Sequence, residues 1–175
     1  LVIGLGTGRA MRAAVARVAP TPRPLHRIVS LVGTISPDGS ASRFNAPAHL
    51  AELTGAQHFP LPLPMHAPTV AQRDQLLALD AVRRVVAMAQ RADAWLSGVS
   101  QFDENGALYR DGFISRDELL ELMRVGAVGE NLGWAFDAQG QILSGGPNAR
   151  ITSVPPSPGA DRLRICVAHG AEKVT

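Results

Sequence analysis

The residues most able to do chemistry come first in the chain. Gly4, Leu5, Gly6, Thr7, Gly8 and Arg9 follow an apolar stretch and precede a helical pattern. Glycines accept positive φ and let a backbone approach a ligand closely. Unpartnered N–H groups at the start of the next helix draw an anion, most often a phosphate. Thr7 adds a hydroxyl donor and Arg9 a charged fork. The same six residues also suffice for a tight strand-to-helix connection that holds nothing. A dinucleotide fingerprint needs glycine where Arg9 stands, and no Gly-Lys-Ser/Thr follows, so neither nucleotide loop is present. A sugar phosphate is the better fit.

Two further constellations stand later in the sequence. Residues 166–173 run from an apolar stretch through Gly170 to Lys173, which is the one lysine among 17 basic side chains. A compact ammonium there can pair with a phosphate or a sugar oxygen where a planar guanidinium would not fit; it can equally be an exposed first-turn side chain. In Gly126-Ala127-Val128-Gly129-Glu130 two glycines present a carboxylate on a turn. Glu130 then either accepts from sugar hydroxyls or is a solvated loop charge. The five histidines lack metal-ligand spacing. Ser97 does not sit in Gly-x-Ser-x-Gly, so no nucleophile elbow is implied. Trp95 and Trp134 read as core.

These groups are positioned by alternating strands and helices. Residues 1–3 predict a buried strand and 9–18 a helix with Met11, Ala14, Val15 and Val18 on one face. A second strand spans 28–32, Pro37-Asp38-Gly39-Ser40 marks a turn, and 47–53 form a helix with Pro47 in its first turn. An extended segment at 58–64 precedes a helical pattern over 70–92, broken near Asp80. Residues 94–99 form a strand. Ser115 and Glu118 form a capping box that opens a helix through Arg124. Residues 133–143 make a hairpin around Asp137-Ala138-Gln139-Gly140, and 163–168 a last strand. This order predicts an α/β protein, a mostly parallel sheet covered by helices on both faces.

Composition narrows the class. The chain has 175 residues, 46% of them apolar and 18% charged, enough for one core and too few for two ordinary domains. No apolar run is long enough to span a bilayer, and no basic n-region opens the chain. Cys166 is the one cysteine, which excludes an internal disulfide framework and suits a reducing cytoplasm. Net charge is +2, and no basic tract marks a nucleic-acid face, so contact with DNA is expected through another segment. A start inside a strand, without an initiator methionine, reads as a fragment.

The ordered pieces together resemble the sugar-binding domain of the SorC family of bacterial transcription regulators. The resemblance runs through residues 3–8, Leu31-Val32-Gly33-Thr34, Asn45-Ala46, residues 73–86, Ala92-Asp93-Ala94, residues 126–130, residues 136–140 and Gly170-Ala171-Glu172-Lys173. It covers nearly the whole chain. It implies a Rossmann-like three-layer sandwich, similar to sugar-phosphate isomerases, deaminases and CoA transferases, forming one effector domain over residues 1–175. It further implies that residues 4–9 and Lys173 hold the phosphate of a phosphorylated sugar. Gly33, Thr34 and Asn45 would line the sugar, and Glu130 would accept from its hydroxyls. A helix-turn-helix domain outside this chain would read DNA, and the protein would form a homodimer or homotetramer without cofactor or metal. Three departures stand out: Pro47 after Asn45-Ala46, His169-Gly170 in place of a glycine pair, and an end at Thr175 before an expected last helix and strand.

Two other classes compete with a sensor. An aldose–ketose isomerase or deaminase needs a general base near the sugar carbon, and Glu130 is the one acid that can be placed. A nucleotide-dependent oxidoreductase is disfavoured by Arg9.

Overall fold

The reversal of direction in the central sheet defines where a ligand can sit. The computed structural model describes residues 1–42, 44–156 and 162–168. Strands β1 (Val2–Leu5), β2 (Arg27–Ser30) and β3 (Gln57–Phe59) step outward in one direction, joined by helices α1 (Arg9–Val15) and α2 (Ala46–Thr54). The chain then returns through α3 (Val70–Ala78) and α4 (Asp80–Gln90) to β4 (Ala94–Gln101), on the other side of β1. After α5 (Ala107–Arg110) and α6 (Arg116–Arg124) come β5 (Gly129–Asn131) and β6 (Trp134–Phe136), and β7 (Leu163–Val167) closes the series. β3, β2, β1, β4 and β7 are all parallel, whereas β5 pairs antiparallel with the far end of β4 and with β6. The expected α/β architecture with a mostly parallel sheet is therefore observed.

Alternation along the strands splits the core into layers. Leu5 and Leu96 face α1 and α2 and pack with Met11, Val15 and Ala46. Val29, Leu31 and Trp95 pack on the other face with Ala89 and Ala92, which α4 and the loop after it bring in. The Trp95 indole donates to the Ala89 carbonyl at 2.8 Å, so its one polar atom is satisfied in the core.

Local signals worked where they were chemical. The Ser115–Glu118 capping box is formed in both directions. Asn45 caps α2, with Pro47 in the first turn. The helical pattern over 70–92 is broken at Leu79, which leaves the helical region and joins α3 to α4. The Asp137–Gly140 turn is closed by a Gly140 N–H to Asp137 carbonyl bond and by the Asp137 carboxylate. Unforeseen were α5, the 3₁₀ turn Gly146–Arg150 and strand β5, which places Glu130 on a strand instead of a loop.

One half-buried polar cluster makes stability pH-dependent. Arg150 donates to the Ala67 carbonyl at 2.8 Å and also pairs with Glu118. His66 lies beside this pair, and its Nδ1 is buried without a partner among the described residues. Burial first, and then the Arg150 charge, lower the His66 pKa to about 4, with Glu118 opposing. The unfolded chain therefore takes up a proton before the folded one does. Stability held above pH ~6.5 is lost as pH falls towards ~4, by at most about 3 kcal/mol. Urea midpoints across that window should fall for the native protein and stay flatter for His66→Phe.

Candidate functional site

In open α/β sheets ligands bind beyond the carboxyl ends of the strands, where the strand order reverses. Here that point lies between β1 and β4, and a cleft opens there. Its wall includes Thr7, Gly8, Ser42, Phe44, Asp111 and Glu130. β1 supplies the first two, because its last residue is followed at once by the Gly6-Thr7-Gly8 turn. The Gly6 N–H donates to Leu96 O at 2.8 Å, extending β1 along β4. Gly8 has φ 105° and ψ 175°, a conformation essentially reserved for glycine.

Glu130 forms the opposite wall. It is 8% exposed, and its Oε2 accepts from the Gly133 N–H at 2.9 Å. The intervening turn is unusual. Asn131 pairs with Trp134, leaving a two-residue connection in which Leu132 has φ 55° and Gly133 φ 88°. Such turns favour Asn or Gly first, so a leucine there carries strain of order 1–3 kcal/mol. Leu132 is nonetheless buried against the cleft, its tip 3.0 Å from where a Cβ on Gly6 would stand. The Asn131 amide fastens the hairpin to β4, donating to Ser97 Oγ at 3.0 Å and to the Gly98 carbonyl at 3.3 Å.

At the mouth an ion pair separates the cleft from an outer hollow. Arg9 donates to both Asp111 oxygens, at 3.2 and 2.7 Å, and lies over the Phe44 ring at 5.1 Å. Ser42, Phe44, Asp111 and Phe113 line both spaces, while Arg9 lines the outer one. The Thr7 hydroxyl donates to the Phe44 carbonyl at 2.5 Å. The arginine expected to meet an anion is thus already engaged by a carboxylate.

The other candidates divide. Gly4 and Leu5 belong to β1 and not to the loop. A Cβ on Gly4 would stand 2.8 Å from Leu31 and 2.9 Å from Trp95, and Leu5 is in the core. Close packing accounts for both residue types, and Leu5 also lines the crevice that Gly33, Thr34 and Asn45 share. Gly33, Thr34 and Asn45 line a narrower crevice that meets the Glu130 cleft along Thr7, Val32 and Ser42. Each also has a structural contact: Gly33 abuts the backbone at Leu63, Thr34 donates to the Leu61 carbonyl at 3.0 Å, and Asn45 accepts from the Ala48 N–H at 3.4 Å. Lys173 lies outside the described residues. Asp111, Phe44 and Leu132 escaped the sequence reading. Asp111-Gly112 signals a turn, but nothing local announces a partner 102 residues away.

Among the described residues no group of three His, Cys, Asp or Glu side chains could hold a metal ion. No helix among them is long and apolar enough to cross a membrane. A doubly wound sheet with a largely apolar cleft at its switch point, carrying the carboxylates of Glu130 and Asp111, belongs to the Rossmann-like class. The chain belongs to the sugar-binding domain family of transcription regulators, whose model, described as "Putative sugar-binding domain", matches residues 1–175. It is 34% identical over 174 residues to the erythritol catabolism regulatory protein EryD of Brucella abortus (strain 2308), covering 99% of this chain and 55% of that protein. Over 87 residues it is 32% identical to the transcriptional regulator LsrR of Klebsiella pneumoniae, 49% of this chain and 27% of that one. The chain thus spans about half the length of EryD, and less of LsrR is matched.

Solved structures share the fold. A DeoR family transcriptional regulator from Listeria monocytogenes superposes with a TM-score of 0.84 at 17% identity, covering 98% of this chain and 68% of that one. The full-length sorbitol operon regulator SorC from Klebsiella pneumoniae gives 0.83 at 20% identity, covering 98% and 56%.

Proposed function

We propose that this chain is the effector-sensing domain of a bacterial, cytoplasmic, sugar-responsive transcription regulator. The effector is a phosphorylated sugar or polyol, with its hydroxyls on Glu130 and its phosphate towards Arg9. The observation that carries this reading is the pairing of a buried carboxylate inside the cleft with a guanidinium at its mouth. A carboxylate accepts from hydroxyls, and a guanidinium fork matches phosphate. Occupancy favours one assembly of a dimer or tetramer, and so alters DNA binding by a segment outside these residues. An isomerase or deaminase reading is weaker, since Asp111 and Glu130, the acids on the cleft wall, are already engaged by Arg9 and by the Gly133 N–H.

Calorimetric titration with tetritol and pentose phosphates, beside the free polyols, tests the proposal. Phosphorylated ligands should bind more tightly. Asp111→Asn frees Arg9 from its competitor and should tighten phosphate esters roughly tenfold, leaving free polyols unchanged. Binding of free polyols alone, or no effect of Asp111→Asn on phosphate esters, would rule out the orientation.

A further inference from the structure

The arginines that looked scattered in the sequence are gathered by the fold. Asp80, Arg83, Arg84, Ala87 and Met88 recur at three- and four-residue steps and so share one face of α4, and Arg91 follows at the cap of the helix. That face borders an open groove, closed on its other side by Val2 and Arg27 at the starting ends of β1 and β2. Arg27, Arg83, Arg84 and Arg91 are exposed, and none forms an ion pair with another described residue. Arg162 reaches the same end of the sheet, donating to the Gln90 carbonyl at 2.6 Å. Four guanidiniums therefore line the groove with one lining carboxylate, Asp80, and Asp93 lies at its border, accepting from the Val2 N–H at 2.7 Å. No basic tract announces this charge pattern in the sequence, because it exists only after folding.

We propose that this groove contacts the phosphodiester backbone of duplex DNA. The choice of DNA over another polyanion rests on the regulator reading above. The groove is larger and shallower than the Glu130 cleft, and the charged groups at its rim are four arginines against Asp80 and, at the border, Asp93. That rim suits a repeating anion better than a hydroxylated small molecule. From Arg83 to Arg91 the helix advances about 12 Å, against one duplex charge per about 1.7 Å. Guanidinium forks bind phosphate without reading bases, so the contact supplies affinity and orientation and not sequence choice. The groove lies at the starting ends of β1 and β2 and the effector cleft at the carboxyl ends of β1 and β4, so both can be filled together.

The test is fluorescence anisotropy of a labelled random-sequence duplex of about 20 base pairs with the 175-residue chain. Measurements between about 50 and 200 mM salt give the slope of log K against log salt. Four neutralised phosphates give a slope of about −3.6. Arg83→Glu/Arg84→Glu should weaken binding at least tenfold at the lower salt, and Arg83→Gln/Arg84→Gln should reduce the slope by about 1.8. Arg17→Glu, outside the groove, should change neither. The proposal is overturned if wild type fails to bind at low salt, if both double variants bind as wild type, or if Arg17→Glu weakens binding equally. It is overturned as well if the double variants alter only sedimentation, since a second copy would then be the occupant. Effector titration of the same variants separates the two readings. Unchanged effector binding with lost DNA affinity supports both, whereas a wild-type chain that binds no effector fails the sensor reading whatever the DNA result.

Discussion

Gly33→Ala is expected to cost the domain about 3 kcal/mol, a large fraction of the roughly 5–15 kcal/mol that holds an ordinary domain folded. A Cβ there would stand 2.4 Å from the Leu63 oxygen, 2.9 Å from the Pro64 carbonyl carbon and 3.0 Å from the Met65 nitrogen. All three are backbone atoms, so no side chain can turn aside. Nor can the opposing segment, residues 61–65, retreat. The Thr34 and Ile35 N–H groups donate to the Leu61 and Leu63 carbonyls, and Thr152 holds Pro64 and Met65 from beyond. Urea denaturation of the purified variant reads the loss directly. A cost below ~1 kcal/mol would mean that the approach of these two segments is looser than described. A large loss assigns Gly33 to the close packing of backbone that shapes the crevice it also lines.

The second large effect falls on binding. Glu130→Ala should weaken the effector roughly 100-fold, and Glu130→Gln roughly tenfold. A hydrogen bond to a charged acceptor contributes about 1.5–3 kcal/mol, and alanine in addition leaves the Gly133 N–H buried without a partner. The amide keeps the shape and an acceptor for that N–H, and loses the charge. Calorimetry with the tightest ligand of the panel gives the ratio, and thermal melts show how much stability goes with it. A change smaller than twofold for the alanine variant would remove the cleft from consideration as the effector site.

Much of this architecture was legible because it is written locally. Alternating apolar runs and helical periodicities located the strands and helices that build the parallel sheet, and the Ser115 capping box and the Asp137 turn were chemical signals with few alternatives. The loop after β1 was found for the same reason, though its start was misjudged: Gly4 is a glycine because Leu31 and Trp95 press on it. What failed was long-range. The Arg9–Asp111 pair spans 102 residues, and the α4 arginines meet Arg27 only once β2 lies beside β1. Glu130 was identified as a candidate but placed on a loop, because a three-residue strand with a leucine in its turn breaks the preference for Asn-Gly at such corners. The exception falls at the cleft, where local rules are most often overridden.

β4 has a consequence beyond its place in the sheet. Its first half is hydrogen-bonded to β1 and β7, and its last three residues to the hairpin that carries Glu130. One unbroken strand therefore ties the cleft wall to the central sheet. An effector that clamps Glu130 lowers the frequency with which the hairpin opens, and that gain passes down β4 to amides that never touch the ligand. Deuterium uptake should then slow at residues 94–98 as well as at the cleft, so the strand reports occupancy at a distance.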